Sequence, residues 1–552
     1  MLVISYSLKY NLAVDFSQMI QNIDTDFTMA ECGLVTEAKE ALVLYGNGDI
    51  LECTAKLKNI QKEILHVDRW ELDSSVIWSV CGVIKGEVSK WKQDLMTEPS
   101  VENLAAVSAA LCCLRNSFAN CARTQLLVAE TEDLLKPVIS STHWTFHGKG
   151  EGESKNDVEN PDDPGENSED TKTPSTADRD NEDNRSEWQK AHSALASACV
   201  TCLGNMVAAN STTRKLLWSH IRPHLRHLLT YDDWKVSQMA SMILHNCLLE
   251  NELKIEFSRD KTVHTVLGDL LTLYVHEGQF SCFVLFCLEL LLCSEGAVEN
   301  SWPSLTSKQR LLCLDVLTAV VCGSTQSKSD SVPSTAILFF ANYFKNEADK
   351  ILCTHIGNLN YDDSQILARL VNFLCSVAAS DTWRPLLQQD TSLLITSVYL
   401  LRCMNDIGKV GDNAFTPIDR MVDLSDEEVM ENASSHPAFG FKCDLIRLIA
   451  SLVYRHKANQ DQVREIEGLL LLLECTQFDA RNPLIKEASI FALRNLLEGN
   501  QENQEVIQAL KFEGVAENSG LRELGMEAVS DGDKVRLRQL ERSPLDSDEA
   551  DL

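Results

Sequence analysis

One short pattern recurs along this 552-residue chain and limits what it folds into: an apolar residue, a Leu or Ile three later, and an Asn or Ser two after that. Copies stand at Leu111-x-x-Leu114-x-Asn116, Val200-x-x-Leu203-x-Asn205, Leu367-x-x-Leu370-x-Asn372, Ile446-x-x-Ile449-x-Ser451 and Ile490-x-x-Leu493-x-Asn495, with a weaker one at Ser241-x-x-Leu244-x-Asn246. Nine residues beyond the polar position comes a second polar residue, at Gln125, Arg214, Asp381, Gln460 and Gln504, with Ile255 the exception. The polar positions are 89, 41, 126, 79 and 44 residues apart. These intervals fit a step of about 40 to 44 residues once 126 is read as three steps, 79 as two, and an insertion is removed from the first.

Apolar spacing around the copies is helical, as in Leu445, Leu448, Ile449 and Leu452, and long alternating strands are hard to find. A period of this length predicts an all-α, armadillo- or HEAT-like right-handed helical solenoid. Such units cannot bury their apolar faces alone and stack into one extended core. That suits a chain longer than the roughly 250 to 300 residues a single core serves. The expected organisation is N-terminal helical repeats or a cap at 1–148, central repeats at 188–436, a C-terminal repeat domain at 437–537 and an acidic tail at 538–552. Between the first two lies 149–187, with 14 acids and 5 bases in 39 residues and almost no apolar side chains. It reads as a disordered acidic insertion, because it cannot offset its ordering entropy. Gly323 to Ser334 reads as a loop, and the region Gly408 to Pro437 is loop-rich, with Asp423 to Glu431 acidic.

The formal charge of -31, from 50 Lys and Arg against 81 Asp and Glu, repels phosphate backbones and anionic lipid and argues against nucleic-acid binding. The local exception is Arg214, Lys215, Arg222 and Arg226, interleaved with His220, His224 and His227. It reads either as a basic patch for an acidic partner or as a solvated helix face. Nineteen cysteines sit mostly in apolar runs, as small buried hydrophobes do in a reducing compartment. Cys199-x-x-Cys202 lacks a second ligand pair, so it reads as core. Phe280 to Cys293 is too short to span a bilayer and contains Glu289. No signal peptide is read at the N-terminus.

No catalytic, cofactor-binding or metal-binding residue is assigned. Gly148-Lys149-Gly150-Glu151-Gly152 is neither a P-loop nor a dinucleotide fingerprint, and His276-Glu277 lacks the second histidine of a metalloprotease. The chain therefore reads as a non-enzymatic protein-binding molecule. The recurring amides Asn116, Asn205, Asn246, Asn372 and Asn495 are candidates for a ladder that hydrogen-bonds an extended peptide in a groove, since an amide both donates and accepts. Equally open is that they bond neighbouring turns inside the stack. Thr173, Ser425, Ser543 and Ser547, beside prolines or acids, are candidate phosphosites whose added charge an arginine-bearing partner would read.

His436-Pro437-Ala438-Phe439-Gly440-Phe441-Lys442, Asn459-Gln460-Asp461, Asp479-Ala480-Arg481-Asn482-Pro483, Ala492-Leu493-Arg494-Asn495-Leu496 and Asn503-Gln504-Glu505 occur in one order. Over about Pro437 to Leu537 they resemble the C-terminal domain of the ataxin-10 family. That resemblance implies a cytoplasmic armadillo-like adaptor, perinuclear or at the midbody, centrosome or cilium base, with roles in cytokinesis, neurite outgrowth and neuronal survival. It implies as partners a heterotrimeric G-protein β subunit and the O-linked N-acetylglucosamine transferase, which leaves open a regulatory role on that enzyme. Self-association stays open as well. The acidic insertion and the tail after Arg542 depart from the family pattern.

Overall fold

The computed structural model describes residues 30–65, 74–93, 98–119, 121–147, 176–208, 210–260, 262–275, 282–323, 332–356, 361–419, 425–510, 525–531 and 534–540, with Leu72, Leu521 and Arg522. The acidic stretch 149–175, most of 323–334 and the end of the tail, with Thr173, Ser543 and Ser547, lie outside the described residues. The chain forms two compact units, Met1–Ser304 and Leu305–Leu552. Their division falls inside 188–436, which the sequence presents as one run of repeats.

In the first unit the helices are α1 (Ala30–Gly46), α2 (Ile50–Glu63), α3 (Ser74–Gln93), α4 (Val101–Phe118), α5 (Ala122–Glu130), α6 (Glu132–His147), α7 (Thr176–Val207), α8 (Ser211–Ile221), α9 (Leu225–Leu229), α10 (Trp234–Leu248), α11 (Asn251–Ser258), α12 (Val263–Val275), α13 (Cys282–Leu292) and α14 (Ala297–Ser301). Helices α2, α4, α7, α10 and α13 form a layer in which each packs on the next. The copies of the repeated pattern in this unit lie on α4, α7 and α10, as the last helix of each repeat. Helix α10 shows why they stack: Val236, Ala240, Ile243, Leu244, Cys247 and Leu248 are buried at helical spacing. Its start is fixed by Asp233, whose carboxylate accepts from the Lys235 N–H at 2.9 Å.

The second unit contains α15 (Ser307–Gly323), α16 (Ser334–Glu347), α17 (Tyr361–Ala379), α18 (Arg384–Gln388), α19 (Thr391–Lys409), α20 (Glu427–Ser435), α21 (Phe441–Val453), α22 (Lys457–Glu465), α23 (Gly468–Glu474), α24 (Ile485–Leu497) and α25 (Gln501–Gln508). Here α15, α17, α21 and α24 build the equivalent layer. The architecture is thus an all-α stack of helical repeats, as the period predicts. Among the described residues no helix is long and apolar enough to cross a membrane.

Two expectations need correction. Residues 176–187, assigned to the disordered insertion, open the 32-residue helix α7. From Thr176 to Leu203 that segment holds no Pro or Gly, so nothing local stops a helix, and acids near its start suit the positive end of the dipole. Within the loop-rich region Gly408 to Pro437, Asp426 caps α20 by accepting from the Glu428 and Val429 N–H groups. The chain also ends in strands: β1 (Met526–Asp531) and β2 (Lys534–Gln539) pair antiparallel, with Glu527 opposite Arg538 in an ion pair. Gly532-Asp533, the dipeptide between the paired Asp531 and Lys534, is a hairpin signal in the sequence.

Candidate protein-docking face

The repeated amides hold the layers together. Asn116 donates from Nδ2 to the Gln61 carbonyl on α2 at 2.9 Å, Asn205 to Arg115 on α4 at 2.8 Å, and Asn495 to Ala450 on α21 at 2.9 Å. Asn116 and Asn495 are buried, and Asn205 is half-buried. Each amide therefore reaches back one repeat and satisfies a carbonyl of the preceding helix. At these three positions the amide acts as an internal stitch, the second of the two readings open from the sequence, with one Nδ2 hydrogen given to the preceding helix. Asn372 is exposed, but its side chain bonds the Asp444 carboxylate across the α17–α21 seam. Asn246 is half-exposed on α10. Thiols stitch at other seams: Cys113 donates to Leu57 at 3.1 Å, Cys287 to Ser241 at 3.2 Å and Cys375 to Asp444 at 3.0 Å. Burial pushes all three thiols well above their ordinary pKa, so they stay protonated donors.

The second polar residue meets the need left by every helix end, whose last carbonyls lack intrahelical donors. Gln125, Arg214, Gln460 and Gln504 donate to the carbonyl seven residues earlier, on Phe118, Val207, Val453 and Leu497. Two of them reach a second helix as well. Gln125 Nε2 donates to Asn205 at 2.7 Å, and Gln460 Nε2 to Asn495 at 2.8 Å. Asp381 cannot donate. In its repeat Arg384 takes the Ala378 and Ala379 carbonyls, and Gln388, outside the sequence register, takes those of Leu452 and Tyr454.

Two of the segments that carry the family resemblance, 436–442 and 479–483, join the strap 413–418 in a buried knot. Asp479 accepts from the Ile418 and Arg481 N–H groups and from Asn482 Nδ2, while Asn482 accepts from the Lys442 N–H. Arg481 Nε donates to Thr416, and Lys442 Nζ to Phe415 at 2.8 Å, so the strap 413–418 is tied to α21 and to the turn before α24. Burial draws the Lys442 ammonium below the usual lysine range, and Asp479 opposes this.

The basic patch is already partnered. Arg214 pairs with Glu250 at 2.9 Å, Lys215 with Glu252 at 2.8 Å, Arg222 with Glu256 and Asp260 at 2.7 Å each, and Arg226 with Asp269 at 3.6 Å. Every acid lies 34 to 43 residues further on, about one repeat, so the patch is an inter-repeat seam and not a free cationic surface. Cys199 and Cys202 are fully buried, and Cys199 lies 3.7 Å from Thr145 Oγ1. Among the described residues no group of three His, Cys, Asp or Glu is placed to hold a metal ion. Ser425 is exposed, directly before the cap of α20.

What each stack presents outward is the side of its last-helix layer turned away from the core. In the first unit that side is nearly uncharged over α7 and α10. Helix α7 offers Ala194, Ser197, Thr201 and Asn205, and α10 offers Gln238, Met239, Met242 and His245. Met242 overlies Gly204, where a Cβ would come within 2.7 Å of its Cε, and the His245 ring lies 5.7 and 5.5 Å from those of Phe283 and Phe286 on α13. In the second unit the same side carries ion pairs, Arg369 with Asp315 at 3.6 Å and Arg447 with Asp444 at 3.2 Å. Burial raises both carboxyls against the pull of those arginines.

Residues 441–538 match the family described as the spinocerebellar ataxia type 10 protein domain. Over these residues the chain is similar to the C-terminal domain of ataxin-10 proteins. Ataxin-10 of Xenopus tropicalis is 28% identical over 347 residues, which is 62% of this chain and 70% of that protein. Human ataxin-10 is 28% identical over 355 residues, with the same coverage. The Dictyostelium discoideum ataxin-10 homolog is 40% identical, but over 111 residues, 20% of this chain and 18% of its own. Among solved structures, the SYS-1/POP-1 complex aligns over 83% of this chain and 75% of the other at 11% identity and a TM-score of 0.37. A β-catenin chain from a study of its interaction with cadherin aligns over 86% and 98% at 11% identity and a TM-score of 0.29.

Proposed function

We propose that this chain is a non-enzymatic scaffold of the ataxin-10 type that holds other proteins against the outward sides of its last-helix layers. The observation behind this reading is the layer itself: it displays a row of side chains from successive repeats, while the polar groups that recur in sequence are used internally. A solenoid of this kind offers extended surface for partners. Its family resemblance suggests action in cytokinesis and neurite outgrowth, in the cytoplasm and near the centrosome. The partners it suggests are a G-protein β subunit and the O-linked N-acetylglucosamine transferase. Phosphate on exposed Ser425 would add charge beside the acids of α20 for an arginine-bearing partner to read.

The test is crosslinking mass spectrometry on the full-length chain mixed with each of these two partners, together with transferase activity measured with and without the chain. Crosslinks concentrated on α4, α7, α10, α17 and α21 are expected. Crosslinks absent with both partners, or confined to α8, α12 and α19, would overturn the reading. A change in transferase rate alongside them would make the chain a regulator of that enzyme as well.

A further inference from the structure

We infer that the α7–α10–α13 face of the first unit binds an amphipathic helix of a partner protein through an apolar, uncharged side of that helix. This inference rests on the scaffold reading and specifies its ligand. The first ground is charge. In a chain with 24% charged residues, the outward stripes of α7 from Ala194, of α10 and of α13 carry, among the described residues, Lys235 at the start of α10 and Glu289. A highly charged partner segment finds no complement between them, and burying an unpaired charge there is costly.

The second ground is shape. Small residues on α7, Ala194, Ser197 and Thr201, lie beside a raised cluster of Met242, His245, Phe283 and Phe286. Every member of that cluster is half-exposed. Large apolar side chains spaced three or four residues apart on a partner helix fit a step of this kind, and methionine adapts to their shape.

The third ground decides between a helix and an extended peptide. An extended occupant needs groove donors and acceptors for its own backbone. Asn205 Nδ2 is committed to Arg115, and Thr201 Oγ1 donates to the Ser197 carbonyl of its own helix at 2.8 Å. A helix satisfies its backbone internally and needs only apolar contact. Gln238 and Asn246, at the edge of the cluster, are placed to set its register.

The experiment selects binders to the immobilised full-length chain from two phage-displayed libraries, one randomised on the surface of a helical scaffold and one of short linear peptides. Expected are helical clones with apolar residues three or four apart that lose about tenfold in affinity on the Phe283→Ser/Phe286→Ser variant, the loss that follows removal of an aromatic anchor. Circular dichroism and thermal melting confirm that the variant is folded. If it is not, Met242→Glu, a single half-exposed change, takes its place. Enrichment of linear clones alone, helical clones indifferent to these substitutions, or no enrichment from either library would each overturn the inference. Partner crosslinks that persist elsewhere on the chain would leave the scaffold reading standing when this one fails.

Discussion

Gln460 shows how much one side chain contributes when it sits where two helices end. Its Nε2 approaches the Val453, Asn495 and Glu498 carbonyls, and its Oε1 accepts from Asn500 Nδ2 at 3.2 Å, all in a buried setting. Replacing it with leucine keeps the apolar bulk and takes the side-chain donor from the Asn495 and Glu498 carbonyls, while Val453 keeps the His456 N–H. The expected loss is about 1 to 3 kcal/mol per buried group left unsatisfied. Denaturant titration of the full-length chain would show it as a lower midpoint for the second unit. Asn495→Ala would remove its bond to Ala450 and act in the same direction. That an amide recurs here was legible in the sequence. Which way it points was not, because a buried Asn stitching two helices and an exposed Asn reading a peptide have the same spacing and differ only in what lies against them.

At the scale of elements, the turns after three last helices, α7, α21 and α24, are built to one plan. Asn210, His456 and Asn500 each cap the next helix, accepting from the N–H three residues on. Before two of these caps the backbone is left-handed, at Arg455 with φ 52° and at Gly499 with φ 68°. A Cβ at Gly499 would meet nothing within 4 Å, so the only penalty of Gly499→Ala is conformational. That substitution is expected to cost about 1 kcal/mol, as left-handed backbone does for an L-residue, read as a small drop in the melting temperature of the full chain. The elements themselves were readable where apolar spacing is dense, as in α21, and were missed where it is thin. The acid-rich opening of α7 and the capped α20 look like loops by composition, and the hairpin alternates Val535 and Leu537 with charges over too few residues to stand out against long helices. The arginine patch stayed open between two readings for a different reason: its partners, Glu250 to Asp269, lie one repeat later, so the neutralisation shows only when the chain is read a period ahead.

For the whole molecule, the pattern of stitches predicts how disturbance spreads. In a stack each repeat touches its neighbours and little else, so stability is a sum of local and nearest-neighbour contributions. Hydrogen exchange on the Asn495→Ala variant should therefore quicken in α24 and α21, which it joins, and leave α4 and α7 at the wild-type rate. Faster exchange throughout both units would mean a single cooperative body instead.

The nine-residue interval between the stitching position and the carbonyl-binding residue acts as a ruler. The helix end it spans has its carbonyls seven residues behind the donor, and one inserted residue would slide that donor off its mark and release both repeats at once. Growth of the chain is then confined to places the ruler does not measure. The acidic stretch before α7 occupies such a place, between the second and last helices of a repeat, where length can change without loosening the stack.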